Sequence, residues 1–170
     1  WLLAFDVDLT GFYGMVAVDP VLSGAVGSLR GLRPPRSETV FEALVVAIVG
    51  QQISSAVARV IRDGLVSTYG TPVEADGYLL QAFPTPGALL DAGTDALRAQ
   101  KLSGRKAEYV QDIAVRTLDG SIDPARLAAL DNEEAIAELV AVRGVGRWTA
   151  EWVLMRARGR LDVLPAGDLA

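Results

Sequence analysis

The clearest chemical potential lies in a glycine turn between two helical stretches, Gly144-Val145-Gly146, with an arginine on each side. Two glycines permit positive φ angles and a close approach of the backbone to a ligand. The N–H groups that begin the next helix can then bind an anion, which the helix dipole also favours. Arg143 and Arg147 add charge, so the turn predicts a DNA-phosphate site that reads no base sequence. On the Gly-x-Gly pattern alone, a plain corner between two helices remains an alternative.

Composition removes several kinds of chemistry. The 170 residues include no Cys and no His, which excludes disulfides, thiolate metal sites, Fe–S clusters and any Ser-His-Asp triad. The hydrophobic share of 51% is enough for a buried core. A net charge of −5 argues against nucleic-acid binding as a default, but residues 141–160 hold five Arg and one Glu. No apolar run is long enough for a transmembrane span, and the N-terminus does not resemble a signal peptide.

The elements that would position the turn are helices. From residue 37 onwards, capping signals and a 3.6-residue apolar period recur, and they predict seven or more short helices in an all-α domain over residues 37–170, to which the family resemblance given below adds a two-lobed arrangement. One predicted helix runs from about Ser54 to Tyr69, with Val57, Val60, Ile61 and Leu65 facing inward. Residues 1–36 are predicted to be a lead-in, comprising a strand-like remnant over residues 1–9, a short helix and a loop.

Three blocks in a fixed order carry a family resemblance. They are the Phe41–Ser54 stretch containing Gly50-Gln51-Gln52, the hairpin at residues 139–150, and the loop Leu164-Pro165-Ala166-Gly167-Asp168, which ends 22 residues after Gly146. Together they resemble the helix–hairpin–helix (HhH-GPD) superfamily of DNA glycosylases, in its 3-methyladenine DNA glycosylase II (AlkA-like) branch. Phe5–Tyr13, Asp19-Pro20 and Ser103–Ala107 resemble the same branch.

The resemblance implies roles for three side chains. Asp168 matches the catalytic aspartate, whose carboxylate stabilises the cation-like sugar formed when an N-glycosidic bond breaks. An N-cap role for Asp168 is an alternative that is compatible with catalysis. Trp148 occupies the position where strand-cleaving members carry a Schiff-base lysine, so the resemblance implies a monofunctional enzyme. Trp148 and Trp152, four residues apart on one helix face, could stack a flipped base; core packing is the alternative.

Other positions are assigned by the same resemblance. Phe12 and Tyr13 would also line the base pocket, with core packing equally compatible. Gln51-Gln52 would wedge into the gap left by the flipped base. The predicted DNA contacts are Gln51, Gln52, Gly104, Arg105, Lys106, Arg143, Gly144, Val145, Gly146, Arg147 and Thr149. The carbonyls of Val140, Val142 and Val145 would match a site for Na⁺ or K⁺, the only cofactor expected.

The implied activity is hydrolysis of the glycosidic bond of alkylated purines in duplex DNA, with water as nucleophile. The family continues past the aspartate with further helices, so we expect this chain to be a fragment truncated at the C-terminus. A DNA-binding module without catalysis and a glycosylase for deaminated bases remain alternatives. The expected partner is double-stranded DNA with damaged bases. A monomer in the cytoplasm of a bacterium or archaeon, with no membrane partner, is also expected.

Overall fold

The computed structural model describes residues 2–167, and helices dominate that range. In chain order the elements are α1 (Thr10–Val16), α2 (Leu22–Ser28), α3 (Val40–Gly50), α4 (Ser55–Tyr69), β1 (Thr71–Ala75), β2 (Tyr78–Ala82), α5 (Pro86–Ala99), α6 (Gly104–Leu118), α7 (Pro124–Ala129), α8 (Asn132–Val140) and α9 (Arg147–Arg158). The all-α prediction is confirmed, apart from one small β-hairpin. None of the described helices is long and apolar enough to cross a membrane.

Helix α3 is the centre of the fold and packs against α4, α6 and α9. It begins after Thr39, whose side chain accepts a hydrogen bond from the Glu42 N–H. Eight of its eleven residues are buried, so α3 is apolar on nearly every side and is covered all round. Helices α4, α6 and α9 pack against it, so α3 supports the residues at its C-terminal end.

Side chains cap the N-termini of six of the nine described helices. Asp131 and Glu134 form a complete capping box at the start of α8, and Ser103 and Thr85 cap α6 and α5. Helix α4 spans the predicted residues, but only Ile61 and Leu65 of its predicted inward face are buried. Val57 and Val60 are exposed, at 47% and 55%, which corrects that part of the prediction. The reason is that α4 packs at the edge of the domain and shows a wide face to solvent.

The predicted N-terminal strand remnant is wrong for the described residues, because residues 2–9 form turns. Their alternating pattern does not reflect a sheet face, since Phe5 is 76% exposed and Ala4 has a positive φ of 53°. Arginine side chains hold the segment instead. Arg33 donates to the carbonyls of Ala4 and Val7 at 2.9 and 2.6 Å, and Arg36 is ion-paired with Asp6 at 3.2 Å.

A two-stranded antiparallel hairpin, β1–β2, joins α4 to α5 and was not predicted. Its turn is Asp76-Gly77, and both residues have positive φ, 50° and 79°. That geometry is the primed turn that Asp-Gly sequences favour. Almost every strand residue is exposed, so the hairpin leaves no burial pattern in the sequence.

Candidate functional site

An open cleft of about 1440 Å³ runs beside the C-terminal end of α3. Its walls are the starts of α4 and α6, the turn between α8 and α9, and α9 itself. The structure therefore brings together seven of the residues singled out from the sequence. Those that line the cleft are Gln51, Gln52, Arg105, Lys106, Gly144, Trp148 and Trp152. A smaller recess of about 380 Å³ between α6, α7 and α8 contains none of these seven residues.

The glycine turn has two different glycines. Gly144 has a φ of 84°, and a Cβ placed there would overlap the ring of Tyr109 on α6. Only glycine meets both conditions without strain. Gly146 is the N-cap of α9, with an extended backbone, no side-chain cap and open space where a Cβ would stand. The first turn of α9 therefore presents N–H groups that no side chain caps, which is the geometry an anion can use.

Gln51 connects the α3–α4 turn to the glycine turn. Its side-chain amide donates to the Gly144 carbonyl at 2.9 Å and, more weakly, to Thr149 Oγ1 at 3.4 Å. Gln51 is half-buried, whereas Gln52 is exposed and adopts a left-handed φ of 57°. Of the pair predicted to wedge into DNA, Gln51 is thus engaged inside the protein and Gln52 points its side chain to solvent.

Lys106 caps the end of α3. Its ammonium donates to the carbonyls of Val49 and Gln51 at 2.8 and 2.6 Å, where the helix dipole favours a cation. Partial burial lowers the pKa of Lys106. Lys106 and Gln51 together join α6, α3 and the glycine turn at the floor of the cleft.

The two arginines beside the glycine turn are already engaged. Arg147 forms a bidentate pair with Glu133, at 2.6 and 2.9 Å, and a further bond to Glu151 at 2.9 Å. These carboxylates raise the pKa of Arg147, and the same pair lowers the pKa of Glu133. Arg143 is 63% exposed, lies 3.4 Å from Glu108 and stacks on Tyr109. Glu151 lies four residues along the same helix, which the sequence spacing shows, whereas Glu133 and Glu108 come from other helices and could not be read from the sequence.

The two tryptophans share one wall of the cleft and both are half-buried. Trp152 also packs against the core and lies 5.1 Å beneath the Arg156 guanidinium. The indole N–H of Trp148 is buried and has no hydrogen-bond partner among the described residues. Two indole faces on one wall form an apolar surface of the kind that stacks a planar ring.

Three predicted site residues lie elsewhere or are occupied. Phe12 and Tyr13, predicted for the base pocket, lie on α1 outside the residues that line the cleft. The Tyr13 hydroxyl accepts from the Gly31 N–H at 2.9 Å, and Arg30 covers its ring. Thr149, predicted to contact DNA, is 4% exposed, so its side chain is buried, whereas its backbone N–H lies in the uncapped first turn of α9.

The remaining predicted positions concern backbone groups and the chain end. Val140 ends α8, and Val142 and Val145 lie in the following turn, where the Val142 carbonyl accepts from the Val145 N–H at 3.1 Å. Carbonyl oxygens are ligands that hard cations accept, so the groups present fit the predicted Na⁺ or K⁺. Gly104 is the first residue of α6 and is exposed. Asp168 lies outside the described residues, directly after Gly167, which lines the cleft.

Sequence reasoning missed three residues in this site. Tyr109 supports Gly144, and Arg59 and Arg62 line the cleft from α4. The signal for the arginines was available, since they follow the Gln51-Gln52 block on a predicted helix and are three residues apart, hence on one face. Tyr109 left no such signal, because its contact depends on how α6 packs against the turn.

Comparison with known proteins gives consistent matches. Residues 45–170 match the model of the family described as HhH-GPD superfamily base excision DNA repair protein. A DNA-3-methyladenine glycosylase of Bacillus subtilis is 32% identical over 164 residues, which cover 96% of this chain and 54% of that protein. The chain thus spans about half the length of this curated relative.

Solved structures agree with the sequence matches. A 3-methyladenine DNA glycosylase from Archaeoglobus fulgidus superposes with a TM-score of 0.85 at 36% identity, covering 95% of this chain and 54% of that one. A Schizosaccharomyces pombe 3-methyladenine DNA glycosylase in complex with abasic DNA gives a TM-score of 0.76 at 32% identity, covering 94% and 76%.

Proposed function

Because the chain belongs to the HhH-GPD superfamily of base-excision DNA repair proteins, we propose that it is a monofunctional DNA glycosylase for alkylated purines such as 3-methyladenine. Relatives whose names state this activity support the substrate class. The partner is double-stranded DNA that carries damaged bases. The protein acts as a monomer in the cytoplasm.

The observation that carries the proposal is the pairing of two features in one cleft. The glycine turn offers uncapped helix N–H groups, and the adjacent wall offers two tryptophan faces. The first suits a DNA phosphate and the second suits a base removed from the stack. An N-methylated purine is cationic, so stacking on indole adds a cation–π attraction of about 0.5–2 kcal/mol.

In the proposed reaction, the duplex binds by its phosphates and the damaged nucleotide rotates out between the helices. The bond between the base nitrogen and the sugar carbon breaks, and the bonding electrons leave with the base. A water oxygen then bonds to the same carbon and loses a proton, which yields an abasic site. Asp168 supplies the negative charge that stabilises the cation-like sugar. The indole at Trp148 cannot form an imine, so the strand stays intact.

No cofactor is proposed beyond a monovalent cation held by the carbonyls of Val140, Val142 and Val145. That cation would join the turn to a DNA phosphate by electrostatic attraction. The side chains of the chain itself do the rest: Trp148 and Trp152 hold the base, and Gln52 fills the space that the base vacates.

The test uses duplex DNA that contains N-methylated purines, incubated with the chain and with Asp168→Asn. Free base is measured, and strand breaks are counted before and after alkali. We expect base release with breaks only after alkali, and loss of release in Asp168→Asn. Asp162→Asn is the matched control, because this exposed carboxylate bonds, among residues 2–167, to Asn132 alone, at 2.8 Å, and should be dispensable.

Two results would contradict the proposal. Breaks before alkali would refute the monofunctional assignment that rests on Trp148. Salt-sensitive DNA binding with no base release would favour the alternative of a DNA-binding module, in which Asp168 has no chemical role.

A further inference from the structure

The charge of the cleft is opposite to that of the chain. The sequence has 21 acidic and 16 basic residues. Yet the described residues that line the cleft include four cations, Arg59, Arg62, Arg105 and Lys106, and none of these lining residues is acidic. A groove lined by one sign of charge concentrates ligands of the opposite sign. This segregation points to an extended anion rather than to a single charge.

The cations differ in how much charge they can offer. Arg147 donates its hydrogen bonds to Glu133 and Glu151. Lys106 donates to the carbonyls at the end of α3. Arg59 and Arg105 form no hydrogen bond, ion pair or ring contact with any residue that the structure describes. Both are exposed. The available positive charge therefore lies on α4 and α6 and not at the glycine turn.

Arg62 gives an internal comparison. It lies three residues from Arg59 on the same face of α4, and it also lines the cleft. However, its guanidinium is paired with Asp63 at 3.1 Å. The two arginines thus share a wall and differ in pairing.

We propose that Arg59 and Arg105 form a second phosphate-binding site, which takes a DNA phosphodiester other than the one at the glycine turn. Helix α4 packs on α3 and α5, and α6 likewise packs on α3 and α5, whereas α9 packs on α3 and α8, so the two arginines lie on different helices from the first turn of α9. A duplex in the cleft presents phosphates to both walls. This inference rests on the proposed function, since it assumes that the cleft binds DNA.

The experiment measures the affinity for an undamaged duplex at several KCl concentrations. The variants are Arg59→Gln, Arg105→Gln and Arg62→Gln. Arg126→Gln is the control, because Arg126 is 67% exposed, is paired with Glu138 and lies outside the cleft. Each variant removes one positive charge, so the change in net charge is identical. Thermal melting of each variant checks that the fold is kept.

We expect Arg59→Gln and Arg105→Gln each to reduce the affinity at low salt by about five-fold, and to reduce the salt slope by about one. Arg62→Gln should have a smaller effect, and Arg126→Gln should bind like the unmodified chain. Equal effects in all four variants, or none in Arg59→Gln and Arg105→Gln, would overturn the inference.

Base release separates this inference from the proposed function. If damaged base is released while Arg59→Gln and Arg105→Gln bind normally, the second site is refuted and the glycosylase stands. If no base is released but the salt slope falls as expected, the second site stands and the glycosylase does not.

Discussion

In the turn between α8 and α9, the left-handed backbone position is a glycine, Gly144, whereas in the turn between α3 and α4 it is Gln52, with a φ of 57°. At Gly144 the Tyr109 ring fills the space that a side chain would need. At Gln52 the side chain is exposed, and the left-handed backbone conformation costs about 1–2 kcal/mol relative to a right-handed one. The turn at Gly144 brings its backbone close to Tyr109, whereas the turn at Gln52 exposes a side chain to solvent.

The largest effect is expected from Gly144→Ala. The added Cβ overlaps the Tyr109 ring and requires a disfavoured φ, so we expect the free energy of unfolding to fall by about 2–4 kcal/mol. Gly146→Ala is the control, because its φ is −92° and no atom lies near its Cβ. Urea unfolding measures both. Equal losses would mean that the difference between the two glycines is not real.

A smaller effect separates Gln51 from Gln52. Gln51→Ala leaves the Gly144 carbonyl without its side-chain donor and should cost about 1 kcal/mol of stability. Gln52→Gly relieves the left-handed strain and should hold or raise stability by up to about 1 kcal/mol.

In Gln52→Gly, the rate of base release should fall although the stability is kept or raised. Loss of its amide should slow release about tenfold, which corresponds to about 1.4 kcal/mol. Urea unfolding and a base-release assay on the same samples test the pair. A Gln52→Gly protein that is less stable, or fully active, would contradict the contrast drawn between the two turns.

The smallest effect concerns pH. The pKa of Glu133 is lowered by Arg147, so its carboxylate favours the folded state above its ordinary pKa of 4.5, and that contribution disappears as pH falls through the lowered value. Glu133→Gln should therefore be slightly less stable than the unmodified chain near pH 7 and equal to it at low pH. Thermal melting between pH 2 and 7 tests this, and a difference that grows as pH falls would show the opposite sign.

Local signals explain what the sequence could predict. The caps at Thr85, Ser103 and Asp131 each bond to the N–H group three residues away, so short segments encode them. The turn Asp76-Gly77 is an equally local signal for a β-hairpin, although the sequence analysis did not predict one. Its exposed strands supplied no apolar alternation to support it.

The contacts that assemble the site could not be predicted from local sequence patterns, because they join residues that are far apart in the chain. Gln51 and Gly144 are 93 residues apart, and Lys106 reaches Val49 of α3 from 57 residues away. Arg147 was predicted to contact phosphate from its place beside the glycines. No local pattern showed that Glu133, on another helix, would face it. The roles carried over from the family, that of Asp168 included, remain predictions.

The bonds from Lys106 and Gln51 at the floor of the cleft have a mechanical consequence. Because they fasten α6, α3 and the glycine turn to one another, the cleft has little freedom to close around its ligand. Under the proposed function, the deformation would then occur in the DNA, which would bend to reach both walls. Bending is easiest where stacking is already weak, so a rigid cleft would select lesions by the softness of the duplex around them.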